Sequence, residues 1–409
     1  MDNIPPSIIR QTPPPPLTPA ARKEGKTNPE MVGVNNRSTH TYCPRSCKRK
    51  RLTEIESLPD EVLFDVLVRL PAHDIYDSAR LICSKWYHMI HTRTFIDANF
   101  QHSTYGLLFQ SKYREDSVFL YVGESGRVEI SKIRNNKLRC PVPTSCNGLV
   151  LELQRGSNYN LYVSNPATSQ VFALPPFVGY LINYQSFAIG YAAASMEYKA
   201  AILVSPAIGK KNICCILTIG VDKSWRTTGS ECVSLATTRA LWSAPLITEG
   251  FVHWCDIATN DVLTMNLETE IFTETSGPTP KGKPKQWNTY LSTGRYLSLL
   301  RPCGDFCWEV WEMKPKIDYR WRKVWDISLE SHKCSTFQRF GFHKYNYLTP
   351  IGWLKYLEVL IFKICNSTSS QILVFNLFTL EIVKIELPGP QYNYKIVVHK
   401  NSLLWFSGC

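Results

Sequence analysis

A repeat with a period of about 102 residues restricts the fold of this chain more than any other feature. Three segments begin with glycine and two large apolar residues, at Gly148, Gly250 and Gly352. Each glycine is followed by an Asn-x-x-Thr turn, at Asn165, Asn266 and Asn376. Asparagine suits such a turn because its side chain caps the backbone and because it tolerates a positive φ. The constant order and nearly constant spacing indicate repeated structural units.

From about residue 104 to 409, short apolar runs alternate with turn residues, which is typical of an all-β domain. Such runs include Gly148–Leu153, Ala200–Val204, Ile213–Ile219 and Gln371–Phe375. A Trp-Arg pair follows the turn in the first two units, at Trp225 and Trp321. A unit of roughly 100 residues is twice the length of a propeller blade, so three units predict a propeller of about six blades.

Residues 53–100 predict a small helical domain in front of the β domain, which makes the chain an α+β multidomain protein. Ser57 and Pro59 suit a helix start. The apolar residues that follow have helical spacing: Val62, Leu63, Val66, Leu67 and Leu70. A second helix is expected to begin at Asp74, with its inner face marked by Ile75, Ala79, Ile82 and Cys83. A unit of this size is marginally stable alone, which favours a binding partner.

Residues 1–52 are rich in proline and poor in large apolar residues, so we expect a disordered tail. The tail holds ten Lys or Arg and three acidic residues, and therefore carries seven of the twelve net positive charges. It ends in a basic cluster that could serve as a nuclear-import signal or simply be a solvated charge run: Lys48, Arg49, Lys50 and Arg51. The rest of the chain is only mildly basic, which argues against nucleic-acid binding.

The sequence contains no apolar run of the ~18–20 residues that a membrane helix needs, and its N-terminus lacks a signal-peptide core. We therefore expect a protein of the nucleus, the cytoplasm or both. The fourteen Cys residues lack zinc-site spacing, so they should be reduced and mostly buried. We predict no metal site and no cofactor.

The segment from Leu58 to Pro71, followed by Ile82, Cys83, Lys85 and Trp86, resembles an F-box. The shared pattern is a Leu-Pro start, an apolar helix that ends in Leu-Pro, and then an aliphatic-Cys-x-x-Trp element. The stretch between Asp74 and Cys83 is one residue longer than the commonest spacing, which affects the helix register there. The resemblance implies that this domain binds the Skp-type adaptor of cullin ligases.

The β domain resembles the plant F-box-associated domains of the β-propeller type. The elements that carry this resemblance are Ser145-Cys-Asn-Gly-Leu-Val, Asn165-Pro-Ala-Thr, Glu197-Tyr-Lys, Ser224-Trp-Arg and Gly250-Phe-Val-His-Trp. The family's usual order is a Cys-Asn-Gly-Leu, an Asn-Pro-x-Thr, a Tyr-Lys and a Ser-Trp-Arg element, and all four are present in that order. The C-terminal third matches loosely. Together the two resemblances imply a non-catalytic substrate-recognition subunit of a cullin-type ubiquitin ligase, in which the β domain holds the protein to be ubiquitylated.

Adaptor contacts are predicted from the apolar surface of the F-box, at Leu58, Pro59, Leu63, Val66, Leu67, Leu70 and Ile75. Cys83 and Trp86 are predicted as F-box core, with the Trp86 indole N–H bonded to the backbone. The sequence does not identify the substrate, the substrate-binding residues or the oligomeric state. It also leaves open whether a small molecule bridges receptor and substrate.

Two other functions are compatible with this domain order. An F-box protein can act as a scaffold outside any ligase. A propeller can also be an enzyme, such as a glycosidase, which needs two converging carboxylates. The available acids do not occupy equivalent repeat positions and are expected to be solvated in loops: Asp256, Asp261, Glu309 and Asp326.

Overall fold

The structure is a computed structural model of the 409-residue chain. It describes residues 58–111, 117–133, 137–156, 159–177, 184–205, 212–228, 239–241, 243–278, 288–304, 306–330, 347–365, 370–387 and 394–406. Residues 54–409 form one compact unit. Within the described ranges, every helix is too short or too polar to cross a bilayer.

Four α-helices and one 3₁₀ helix form the helical unit, which we define as residues 58–102. The helices are α1 Asp60–Leu67, α2 Ala72–Asp77, the 3₁₀ helix Ala79–Leu81, α3 Ser84–Ile90 and α4 Arg93–His102. Pro59 and Pro71 immediately precede α1 and α2, where the fixed φ of proline favours a helix start. The second helix therefore begins at Ala72 rather than at Asp74. Thr92 caps α4 by accepting a hydrogen bond from the Phe95 amide at 3.2 Å.

The rest of the described chain consists of six four-stranded antiparallel sheets, which confirms the predicted six-bladed propeller. The first three blades contain β1 Tyr105–Ser111, β2 Ser117–Val122, β3 Val128–Ile133, β4 Thr144–Cys146, β5 Leu149–Gln154, β6 Asn160–Asn165, β7 Gln170–Ala173, β8 Tyr184–Ala192, β9 Glu197–Ser205, β10 Ile213–Thr218 and β11 Arg226–Thr227. The other blades contain β12 Leu246–Thr248, β13 Phe251–Cys255, β14 Asp261–Asn266, β15 Phe272–Ser276, β16 Thr289–Ser292, β17 Leu297–Gly304, β18 Cys307–Met313, β19 Trp321–Ser328, β20 Tyr347–Lys355, β21 Val359–Cys365, β22 Ser370–Asn376, β23 Ile382–Ile385 and β24 Tyr394–Lys400.

The ring is closed by pairing the last strand with the first. β24 takes the innermost position of the first blade, whose strand order is β24-β1-β2-β3. It pairs antiparallel with β1 along its whole length, from Tyr394 opposite Ser111 to Lys400 opposite Tyr105. Every other blade follows chain order. β1 therefore has partners on both sides, β24 and β2, and is not an edge strand.

The 102-residue repeat corresponds to a pair of blades. The three Asn-x-x-Thr turns join the third and fourth strands of the second, fourth and sixth blades. In each turn the asparagine Oδ1 accepts the amide two residues on, at 2.8–2.9 Å. The residue after the threonine has a positive φ of 58–60° in each turn. The two Trp-Arg pairs lie at the outer strands of the third and fifth blades.

The glycine part of the repeat is equivalent in only two of its three members. Gly148 and Gly250 lie in turns between the first two strands of their blades, with φ of 95° and 82°. Gly352 instead lies inside β20 at a register shift, and a Cβ there would approach the side chain of Leu107 at 2.6 Å. The predicted equivalence of Gly352 to the other two glycines is therefore wrong. Sequence spacing alone does not distinguish a glycine that forms a turn from one that allows close packing.

The cysteines differ partly from the prediction. The eight cysteines whose side chains the structure describes carry free thiols, but of these only Cys214, Cys215 and Cys255 are buried. Cys214 and Cys215 face opposite sides of β10 and join different apolar clusters, as side chains alternate along a strand. Cys303 is exposed.

A three-residue ion cluster joins the third and fourth blades. Lys199 Nζ donates to Glu270 Oε1 at 2.9 Å and to the Leu267 carbonyl at 2.8 Å. Arg226 donates to both oxygens of Glu270, at 2.6 and 2.5 Å. The hydrogen bonds from Arg226 and Lys199 lower the pKa of Glu270 to about 2. The Tyr-Lys and Ser-Trp-Arg elements of the sequence thus meet at one carboxylate.

We expect Glu270→Ala to lower the free energy of unfolding at pH 7 by about 2 kcal/mol, since it leaves the Lys199 ammonium buried without a counter-charge. The pKa of Glu270 is lowered by folding, so its contribution is complete above about pH 4.5 and is lost as the pH falls towards about 2. Urea unfolding at pH 7 and pH 3 measures both effects. The control Asp97→Ala removes an exposed pair with Arg93 and should cost no more than ~0.5 kcal/mol. Equal losses in the two variants would contradict this account.

Candidate partner-binding surfaces

Helix α1 has apolar side chains on two adjacent faces. Leu63 and Leu67 are each 1% exposed and lie in the core of the helical unit, whereas Val62 and Val66 are 45% and 52% exposed. Both pairs are spaced four residues apart, so each forms a stripe along the helix. One stripe stabilises the fold and the other remains open to a partner.

Exposed apolar side chains are concentrated in the helical unit. Among the described residues, sixteen large apolar side chains are exposed, and six of them lie between residues 62 and 87. We call these six the exposed apolar set: Val62, Val66, Leu70, Leu81, Ile82 and Tyr87. Such a concentration in so short a segment is typical of a protein-binding surface.

The structure separates the seven predicted adaptor contacts. Pro59, Val66 and Leu70 are exposed, and Leu58 is half-buried. Three of the assignments need correction, because Leu63, Leu67 and Ile75 are buried inside the helical unit. Ile82, predicted on an inner face, is exposed instead. The apolar pattern indicates that α1 is amphipathic but does not show which of its two stripes is covered.

The structure places both predicted core residues in the helical unit. Trp86 is buried in the helical core, and Cys83 is half-buried against it. The Trp86 indole N–H, however, has no hydrogen-bond partner among the described residues, so the predicted bond to the backbone is absent.

Polar contacts fix the helical unit to the propeller. The Asn401 amide donates to Nδ1 of His73 at 2.7 Å, and Nε2 of the same ring donates to Ser131 Oγ at 2.8 Å. Burial holds the pKa of His73 below its ordinary value, so the neutral ring of this bridge is favoured. Lys137 forms an ion pair with Asp77 at 2.7 Å.

Apolar packing continues across the same junction. Leu403, which follows β24, and Ala167 of the second blade belong to the core cluster of the helical unit. In the other direction, Ile96 and Phe100 of α4 pack against the core shared by the second and third blades. The helical unit and the propeller therefore share a continuous core, which holds the exposed apolar set in a fixed position relative to the blades.

A cavity of about 350 Å³ lies on the propeller axis, where the innermost strands end. We call it the axial cavity. Strands from around the ring and the last turn of α4 line it, including Phe100, Tyr105, Ser145, Leu246, Ser292 and Val398.

The acids considered for a glycosidase are engaged elsewhere. Asp256 Oδ1 accepts the Ala258 amide at 2.8 Å, and Asp261 accepts the Ser276 hydroxyl at 2.7 Å. Glu309 is paired with Arg301 and Lys323, and Asp326 is also paired with Lys323. The prediction of solvated loop acids is therefore wrong in part: Asp256 is buried in a turn, and the other three acids lie on strands, although Asp326 is exposed. None of the four lines the axial cavity.

The basic cluster Lys48–Arg51 lies outside the described residues, and its proposed role in nuclear import stays a prediction.

Comparison with protein families identifies both parts of the chain. The F-box associated beta propeller domain family matches residues 98–407, and the F-box-like family matches residues 55–96. The chain therefore belongs to the F-box-associated β-propeller family. Domains of these two types are typical of non-catalytic adaptor proteins. An F-box generally binds a separate protein, the Skp-type adaptor.

No curated protein matches the chain. Solved structures resemble it only loosely. TolB from Acinetobacter baumannii is 8% identical, with a TM-score of 0.37 over 73% of this chain and 67% of that one. A putative TolB from Agrobacterium tumefaciens is 11% identical, with a TM-score of 0.36 over 73% of this chain and 98% of that one. Likenesses of this kind carry no argument about function.

Proposed function

We propose that this protein is the substrate-recognition subunit of a cullin-type ubiquitin ligase. The observation that carries the proposal is the exposed apolar set on an F-box-like unit. An adaptor that covered four of its side chains would remove enough apolar surface to support stable binding, at about 1.5–3 kcal/mol for each side chain fully buried.

The shared core of the two units supports the second half of the proposal. A receptor accelerates ubiquitin transfer by holding the substrate near the charged carrier, which raises the effective concentration of the substrate's lysines. A rigid junction favours this role because it limits the volume that a propeller-bound substrate can explore. Binding of a cullin through the adaptor, a protein substrate on the propeller, a location in nucleus or cytoplasm and a plant source all belong to this proposal.

Size-exclusion chromatography of the full chain with purified Skp-type adaptor and cullin tests the proposal. We expect the three proteins to elute as one complex with equal stoichiometry. If the chain bound the adaptor but the pair excluded the cullin, the scaffold alternative would replace the ligase proposal. Elution of a folded chain apart from the adaptor would contradict the ligase proposal and leave the scaffold alternative.

A further inference from the structure

The charges of the axial cavity are unbalanced. The charged residues among those that line it are Glu249, Arg295, Lys316 and Lys400. Glu249 already pairs with Arg295 at 3.3 Å and with Lys316 at 3.0 Å. Three cations therefore face one carboxylate, and this carboxylate is shared by the two cations whose side chains are mostly exposed.

Lys400 is the cation on the inner side of this group. Its Nζ lies 3.8 Å from the ring centroid of Phe100 and 5.4 Å from that of Tyr105. Within the part of the chain that the structure describes, its ammonium makes no ion pair. Burial, and to a lesser degree the charge of Arg295, lowers the pKa of Lys400 to about 8. A half-buried ammonium that lies against two aromatic rings would gain from an anion beside it.

The walls of the cavity are mainly apolar and leave few polar groups unused. Ser145 Oγ donates to the Leu149 carbonyl and accepts from His399 Nδ1. Ser292 Oγ donates to the Ile247 carbonyl and accepts from the Gly294 amide. Apolar groups contribute the rest of the wall, including Leu107, Pro143, Leu246, Ile351 and Val398. The cavity thus offers one unpaired cation to a ligand whose remaining surface is apolar.

We infer that the axial cavity binds a small organic monocarboxylate, with its carboxylate against Lys400 and its apolar body between the innermost strands. The volume of about 350 Å³ lies at the lower end of the ~300–1,000 Å³ usual for small-molecule sites. Because Phe100 and Gln101 belong to α4 and the other lining residues belong to the propeller, the ligand contacts both units. This site goes beyond the proposed ligase role and does not depend on adaptor binding.

Isothermal titration calorimetry of the full chain with 4-phenylbutyrate and octanoate tests the inference. For ligands of this size we expect dissociation constants of ~1 mM or tighter. The neutral amides of the same acids should bind at least ~10-fold more weakly, since they lack the charge that Lys400 pairs with. Lys400→Met should weaken the acids by a similar factor, and the control Lys132→Met, an exposed lysine on β3, should bind as the wild type does.

Absence of binding of both acids to the wild type would overturn the inference, as would equal affinity for acids and amides. Leu246→Trp, which fills the cavity without changing its charge, is expected to abolish binding. If this variant bound the acids as the wild type does, the ligand would lie elsewhere. If either variant fails to fold, as judged by circular dichroism, the comparison of acid binding with amide binding to the wild-type chain still tests the inference.

Discussion

Deletion of residues 394–409 should abolish the cooperative unfolding of the propeller. The deletion removes β24, which is the innermost strand of the first blade and pairs with β1 along the whole length of β1. It also removes Leu403 from the helical core and Leu404 and Phe406 from the core of the second and third blades. Without β24, β1 keeps only β2 as a partner, and the open ring loses both backbone hydrogen bonds and apolar burial at one place.

Thermal unfolding followed by near-ultraviolet circular dichroism measures this effect. We expect the full chain to show one sharp transition and the truncated chain to show none. Deletion of residues 1–53, which lie outside the described ranges, serves as the control and should leave the transition in place. A truncated chain that unfolded cooperatively at the temperature of the full chain would contradict closure by β24.

Asn165→Ala should destabilise the propeller far more than the same substitution at Asn376, although both residues cap equivalent turns. Asn165 is fully buried, and its amide nitrogen also donates to the carbonyls of Ser402 and Leu404, at 2.9 and 2.8 Å. Its loss leaves two buried carbonyls without these partners, which we expect to cost about 3 kcal/mol. Asn376 caps only its own exposed turn, so Asn376→Ala should cost about 1 kcal/mol.

Urea unfolding of the two variants and the wild type under identical conditions provides the comparison. The result that would contradict this account is an equal loss of stability in the two variants. In that case the asparagine would act through the turn alone, and its bonds to the C-terminal segment would contribute nothing.

The repeat in the sequence predicted the six blades because each Asn-x-x-Thr turn has a local cause. In all three turns the asparagine side chain bonds the backbone two residues away, so the cap is formed by residues of the turn itself. The further bonds of Asn165 depend on Ser402 and Leu404, which come from the other end of the domain. The residues of the turn therefore do not show that Asn165 makes these bonds and that Asn376 does not.

Neither the exposed apolar set nor the axial cavity could be located from the sequence alone, because each depends on contacts between residues that are distant in sequence. The apolar spacing of α1 predicted a helix, yet burial of Leu63 and Leu67 rather than Val62 and Val66 depends on how the helices pack. Leu403 and Ala167, both distant in sequence, complete that core.

The axial cavity is built from single residues of several inner strands and of α4, so no continuous motif indicates it. The Lys199 and Arg226 elements were visible in the sequence, but their shared partner Glu270 was not.

Binding of the Skp-type adaptor to the full chain, measured by isothermal titration calorimetry, tests the central claim most directly. The decisive variant is Val66→Asp with Ile82→Asp, which places charges on the exposed apolar set and leaves the buried stripe of α1 unchanged. Its control is Ile130→Asp with Val383→Asp, two similarly exposed aliphatic residues on the propeller. We predict that the wild type and the control bind equally and that the helical variant, with an unchanged circular dichroism spectrum, binds at least ~100-fold more weakly. Adaptor binding that is absent in the wild type, or equal in the helical variant, would contradict the assignment of this surface as the adaptor site.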